Sequence, residues 1–224
     1  MDINNITLIE GVFVKELKNR FLCEVMINGK SIECYVPSSC HLSNFIDISN
    51  CPVLLNKNPE KSRTAYSLFA FKFQEKYVLL NTSIANKIIF EKLSSRMFNF
   101  LGKRKKPFKE YKYQGYKSDI FIEDTNSFIE IKSLLSLDKI GLFPTVYSER
   151  TINQLKSFHE FLKNGFKINF FIVSLNPYIK KIQINRNTDF YLLFKDCISL
   201  GMKVYGFKID FNNSISIKRI ACKI

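Results

Sequence analysis

No Cys-x-x-Cys pair occurs in this chain, and its six cysteines, at positions 23, 34, 40, 51, 197 and 222, have only His41 and His159 for company. That composition argues against a zinc site and against a disulfide scaffold, and leaves the cysteines as small core residues. No run approaches the roughly 20 apolar residues that a membrane span needs. The opening segment, Met1-Asp2-Ile3-Asn4-Asn5, lacks the basic stretch of a secretory signal. A soluble, cytoplasmic protein is the expectation. Internal repeats and low-complexity linkers are also missing.

Acidic residues are scarce relative to basic ones: 20 Asp and Glu stand against 34 Lys and Arg, a formal net charge of +14. The excess is uneven. Residues 1 to 80 carry nine basic and eight acidic side chains, so almost all of the positive field belongs to residues 81 to 224. Within that part, residues 87 to 117 hold ten basic and two acidic residues. Lys103, Arg104, Lys105, Lys106, Lys109 and Lys117 are among them, with Phe108, Tyr111, Tyr113 and Tyr116 interleaved. Such a stripe suits a phosphate backbone, duplex or single-stranded DNA bound with little sequence preference, although a solvated loop has the same composition.

Residues 1 to 80 alternate in the manner of short strands: Phe21, Cys23, Val25 and Ile27 against Leu22, Glu24, Met26 and Asn28, with Asn28-Gly29 as a tight hairpin signal. A small β-barrel is the simplest closure. Beyond residue 80 the period changes. Helices are predicted over 83–97, 148–163 and 188–200, and strands over 110–115, 119–123, 128–134, 168–174, 203–209 and 214–219. This second domain, 81–224, reads as an α/β sandwich with a mixed sheet.

The most informative pattern is Asp119, followed eleven positions later by Glu130-Ile131-Lys132, in two alternating segments separated by the turn formers Asp124-Thr125-Asn126-Ser127. Pairing Glu123 with Phe128 would place Asp119 opposite Lys132 and Phe121 opposite Glu130. All three polar side chains would then share one face. Two carboxylates so placed can hold Mg²⁺ or Mn²⁺, with Lys132 stabilising phosphate charge or orienting water. A solvated ion pair on a sheet face would show the same spacing. In the 148–163 helix, Arg150 and Gln154 sit one turn apart beside the stripe Ile152, Leu155, Phe158 and Leu162, in position to face a ligand over the sheet edge.

These residues resemble the sugar fermentation stimulation proteins of bacteria and archaea over nearly the whole chain. Asn19-Arg20-Phe21-Leu22-Cys23-Glu24-Val25 looks like that family's opening strand, and Val36-Pro37-Ser38-Ser39-Cys40-His41-Leu42 is similar to its Pro-Asn-Thr-Gly segment. Asn81-Thr82-Ser83-Ile84-Ala85-Asn86-Lys87 resembles its helix start, with Glu91 where that helix carries a glutamate. Lys117-Ser118-Asp119-Ile120, Phe128-Ile129-Glu130-Ile131-Lys132-Ser133, Gly141-Leu142-Phe143-Pro144 and Ser148-Glu149-Arg150 match further segments in order.

The resemblance implies an N-terminal OB-like β-barrel over 1–80, an auxiliary nucleic-acid-binding domain. A restriction-endonuclease-like domain of the PD-(D/E)-x-K superfamily would follow over 81–224. It implies a DNA-binding protein linked to sugar, especially maltose, metabolism, or alternatively a Mg²⁺-dependent DNA endonuclease. Asp119, Glu130 and Lys132 would be the catalytic set, and Glu91, Asp119 and Glu130 the metal ligands. Lys103, Arg104, Lys105, Lys106, Lys109, Lys117, Arg150 and Gln154 would contact DNA. Several positions depart from the family pattern: of the Pro-Asn-Thr-Gly segment only Pro37 is strictly retained, the arginine of the strand at Asp119 is displaced or lost, Thr145 stands where the family has an aspartate, and Gln154 where it has a histidine.

Overall fold

A computed structural model describes residues 7–38, 41–212 and 214–224. Cys40, its neighbour Ser39 and the opening Met1 to Asn5 lie outside the described residues.

Among the described residues, six strands form the N-terminal part: β1 (Leu8–Glu16), β2 (Leu22–Ile27), β3 (Lys30–Tyr35), β4 (Pro52–Lys57), β5 (Tyr66–Phe73) and β6 (Lys76–Leu79). The β2–β3 turn uses Asn28 and Gly29 at φ of 48° and 76°, the left-handed pair that a two-residue hairpin requires. β1 pairs with β2 and β4, β4 pairs with β5, and the Tyr35–Ser67 pair brings β3 beside β5. This OB-like barrel is filled by alternate inward side chains, among them Phe13, Val25, Leu55 and Phe71.

The second part contains α1 (Ser83–Lys92), β7 (Pro107–Lys109), β8 (Lys112–Tyr113), β9 (Tyr116–Lys117), β10 (Ile120–Ile122), β11 (Ser127–Leu134), β12 (Ile140–Phe143), α2 (Glu149–Lys163), β13 (Lys167–Ser174), β14 (Lys181–Ile184), α3 (Asp189–Ser199), β15 (Lys203–Asn212) and β16 (Ser214–Lys223). Its sheet is mixed. β11, β13 and β15 run parallel, while β10 joins β11, and β16 joins β15, antiparallel. β6 pairs with β15 through Tyr77 and Phe211, so hydrogen bonding is continuous with the barrel.

Strand alternation distributes the apolar side chains to two layers. Ile129, Ile131, Phe171 and Phe207 meet α1 and residues of the barrel on one face; Phe128 and Phe170 pack with Phe158 of α2 and Phe194 of α3 on the other. The buried stripe of α2 includes Gln154, Leu155, Phe158 and Phe161, and Ser148 caps the helix by accepting from Thr151 N–H.

Several boundaries differ from the sequence reading. The helix predicted over 83–97 stops at Lys92. Arg104 reaches across to the carbonyls of Leu93 (2.5 Å), Ser94 (3.3 Å) and Ser95 (2.8 Å), satisfying groups that a longer helix would have bonded itself. The strand predicted over 110–115 is reduced to the two residues of β8, with Glu110, at φ 51°, breaking the chain between β7 and β8. A Gln114-Gly115 turn then makes a small β8–β9 hairpin. β12 and β14 were not predicted; they pair with each other in parallel at the margin of the sheet.

The β10–β11 hairpin is set two residues tighter than the predicted pairing. Phe121 opposes Phe128, and one step beyond the last ladder pair Asp119 faces Glu130 rather than Lys132. The predicted turn is there as a short 3₁₀ turn at Glu123–Thr125, closed by left-handed Asn126; it takes Glu123 from the first strand, and Ser127 joins the second. A shift of two preserves the face on which every side chain lies, so the convergence survives the correction.

Candidate active site

Glu130 and Lys132 project from the middle of β11 toward α2, and Asp119 enters from the residue before β10. The same alternation that buries Phe128 and Leu134 on that face puts two charged groups in the row between them. Glu130 is 3% exposed. Burial of a carboxylate requires partners, and it has them: Tyr116 donates its hydroxyl to Oε2, and Lys132 Nζ lies 2.7 Å from Oε1. Lys132 also donates to Gln154 Oε1 at 2.5 Å.

Asp119 is held independently. Asn86 of α1 donates to its Oδ1 at 2.7 Å, and the Ile131 N–H donates to its Oδ2 at 2.7 Å. Burial, and next the charge of Glu130, push its carboxyl up to about 6, against the lowering effects of the Ile131 N–H, Lys132 and Asn86. Tyr116 is raised well above the ordinary tyrosine value by burial and by Glu130, so its hydroxyl stays protonated and remains a donor. Each of the four carboxylate oxygens therefore has a partner of its own: Asn86 and the Ile131 N–H for Asp119, Lys132 and Tyr116 for Glu130.

On one side of these groups an open groove of ≈ 590 Å³ is lined by Tyr116, Lys117, Arg150, Asn153 and Gln154. Arg150 and Lys117 bring positive charge to its walls, Lys117 while paired with Glu110 at 2.8 Å, and Glu149 adds one acidic group. The structure thus brings together Asp119, Glu130, Lys132 and Gln154, and adds Arg150 and Lys117 at the groove.

The remaining residues singled out in the sequence lie elsewhere. Glu91 does not join the carboxylate pair: it is exposed and pairs with Lys87 at 3.8 Å. Five helical residues separate it from Asn86, a rotation of about 140°, and it is Asn86 that reaches Asp119. Among the described residues no group of three or more His, Cys, Asp or Glu is arranged to hold a metal ion.

Lys103 and Lys106 pair with Asp124 (3.3 Å) and Glu123 (2.9 Å) at the turn end of the β10–β11 hairpin, about 13 Å of strand away from Asp119. Arg104 spends its guanidinium on main-chain carbonyls and on Asn99. Lys105 borders a second groove beside Phe90 and Leu93, and Lys109 lies over the Phe90 ring at 4.1 Å. The interleaved tyrosines are core groups: Tyr116 is buried, and Tyr111 stacks on Phe121 at 4.4 Å.

Sequence reasoning missed Asn86 and Tyr116. Asn86 lies within the Ala85-Asn86 segment, which reads only as a helix start. Tyr116 reads as part of an aromatic-basic stripe, and nothing local distinguishes a tyrosine that stacks on a ligand from one that buries its ring and aims its hydroxyl at a carboxylate.

A barrel of OB type joined to a mixed α/β sheet with an Asp, a Glu and a Lys on one face defines a two-domain, restriction-endonuclease-like architecture. Comparison with known proteins agrees. The model described as the sugar fermentation stimulation protein RE domain matches residues 83–214, and the SfsA N-terminal OB domain matches residues 17–80. The chain belongs to the sugar fermentation stimulation protein family.

Homologues of that name include one from Natranaerobius thermophilus, 31% identical over 72% of this chain and 70% of the relative. Another, from Methanosphaera stadtmanae, is 27% identical over 98% and 95%. Pyrococcus furiosus SfsA, solved in complex with Ca²⁺, shares the fold with a TM-score of 0.81 at 17% identity, covering 97% of this chain and 96% of that one.

Proposed function

We propose that this protein binds DNA without reading its sequence and hydrolyses phosphodiester bonds at Asp119, Glu130 and Lys132 with the help of a divalent cation. The observation that carries the reading is the convergence of two carboxylates and an ammonium: Lys132 is ion-paired with Glu130 and donates to Gln154 at the wall of a groove that also presents Arg150 and Lys117, and Asp119, held by Asn86 and the Ile131 N–H, lies close enough to feel the charges of Glu130 and Lys132.

The residues fit a hard cation. Two carboxylates share one buried site; one has a raised pKa, and the other is balanced by an ammonium at 2.7 Å, so the pair calls for positive charge. Magnesium and manganese accept one or two carboxylates and keep their waters. Asp119 and Glu130 would hold the ion. When bound, it would supply Lewis-acid polarisation of a phosphate oxygen and a lowered pKa for an attacking water. That Pyrococcus furiosus SfsA was solved in complex with Ca²⁺ supports an oxygen-rich divalent site in this fold.

The chain's own groups do the rest. Lys132, an ammonium with no lone pair, stays outside the coordination sphere and holds a phosphate oxygen or the attacking water. Gln154 keeps the Lys132 amine from swinging away, and Tyr116 fixes the rotamer of Glu130. Arg150 and Lys117 neutralise phosphates along the groove as point charges, which selects no base.

The test is incubation of the purified protein with single-stranded, duplex and branched DNA, with and without Mg²⁺ or Mn²⁺, at several salt concentrations. Salt-sensitive binding and metal-dependent cleavage support the whole reading. Binding without cleavage under any metal leaves a DNA-binding protein of the regulatory kind that the family name suggests. Absence of binding removes both.

A further inference from the structure

Lys132 itself lines a second cavity, of ≈ 230 Å³, walled by both domains. Phe45 of the barrel segment and Phe143 at the end of β12 supply apolar surfaces, Thr82, Ser133 and Thr145 supply hydroxyls, and Lys132 stands at the boundary with the carboxylate pair. The first turn of α2 divides the two spaces. Arg150, Asn153 and Gln154 face the groove, while Ser148 and Thr151 face the cavity.

The lining has the chemistry of a planar heterocycle. Aromatic walls stack on ring faces irrespective of base identity, hydroxyls both donate and accept at ring edges, and a neighbouring cation suits the phosphate to which the ring is attached. Ser133 already gives its hydrogen to the Thr82 carbonyl at 3.1 Å, so its oxygen is presented as an acceptor. The volume is below the roughly 300–1,000 Å³ of pockets for drug-sized ligands, which matches one ring system and not a stacked pair. Because Lys132 lines this cavity and bonds Gln154 at the groove wall, a strand with a phosphate at Lys132 brings a neighbouring base to the cavity.

We propose that the cavity between Phe45, Phe143 and Thr145 receives one unpaired nucleobase adjacent to the phosphate at Lys132, so that the site takes single-stranded or locally unstacked DNA in preference to intact duplex. This rests on the DNA reading above and deepens it. Enzymes that place a base in a pocket pay for unstacking, and a strand that is already single avoids that cost.

The experiment compares the full-length protein's affinity, by fluorescence anisotropy in EDTA, for a single-stranded oligonucleotide and for a deoxyribose-phosphate strand of equal length without bases. Native protein should favour the base-bearing strand by about tenfold. Thr145→Phe, which fills the cavity from an exposed position, and Phe45→Ala, which removes one wall, should each bring the two affinities close together by weakening only the base-bearing strand. Unchanged melting curves establish that both variants are folded.

A preference that persists in both variants, or a native protein that does not distinguish the strands, overturns the pocket. In the second case salt-sensitive binding of both strands leaves the DNA reading intact. Native protein that binds neither strand at low salt removes the DNA reading and the pocket together.

Discussion

The ammonium of Lys132 lies 2.7 Å from Oε1 of Glu130, two residues away on the same strand and on the same face. Both side chains are mostly shielded, at 19% and 4% exposed respectively. The lysine therefore balances the buried carboxylate whenever no other cation does so. Lys132→Ala leaves Glu130 charged and unpaired, and should lower stability at pH 7 by about 2–3 kcal/mol in a urea titration. Mg²⁺ or Mn²⁺ should then raise the melting temperature of Lys132→Ala more than that of the native protein, because in the variant the ion faces no competing ammonium.

Asp119 sets the pH dependence. Its carboxyl titrates at about 6 in the folded protein against an ordinary value of 3.8. The folded state thus holds the proton more tightly, and stability falls as pH rises from about 4 through about 6. Asp119→Asn removes that loss. Without metal, the variant should be the more stable of the two at pH 8, by on the order of 2 kcal/mol, with the difference vanishing below pH 4. Equal pH profiles for the two proteins would show that Asp119 is not strained by its surroundings.

Tyr116 holds the other oxygen of Glu130. Tyr116→Phe keeps the ring in its aromatic surroundings and deletes only the donor, so it should cost about 1–3 kcal/mol of stability, the penalty of leaving a buried acceptor unmatched. Chemical denaturation measures it. A change well under that size would mean that water replaces the hydroxyl.

Arg104 and Arg150 should behave oppositely. Arg104 caps the end of α1, and Arg104→Ala should destabilise the fold by about 1–2 kcal/mol while leaving the slope of log affinity for DNA against log salt unchanged. Arg150→Ala, together with Lys117→Ala, should reduce that slope by about two with little change in melting temperature. The reverse outcome would move the DNA surface to the Lys103–Lys106 segment.

The contrast between these two arginines also shows how far the sequence could be read. Alternation, turn residues and helix caps identified the barrel, the mixed sheet and the shared face of Asp119, Glu130 and Lys132, because those are local properties of period and spacing. What the sequence did not show depends on contacts between distant segments. The end of α1 is decided by a guanidinium eleven residues beyond Leu93, the hairpin register by where within the turn segment the ladder closes, with Ile122 opposite Ser127, and the partner of Asp119 by which side of α1 meets the sheet. Asn86 is on that side, and Glu91, about 140° around, is not. The basic stripe was visible as charge, but its division into ion pairs, a helix cap and groove-lining residues is a tertiary property.

The central claim is most directly tested by single-turnover cleavage of a labelled single-stranded oligonucleotide in Mn²⁺, comparing native protein with Asp119→Asn/Glu130→Gln, with binding followed on the same samples. Loss of one such catalytic centre is expected to lower the rate by at least about a thousandfold while leaving salt-sensitive binding in place. Equal cleavage by the two proteins, or a complete absence of cleavage by native protein that binds the strand, would contradict the assignment of Asp119, Glu130 and Lys132 as a hydrolytic site.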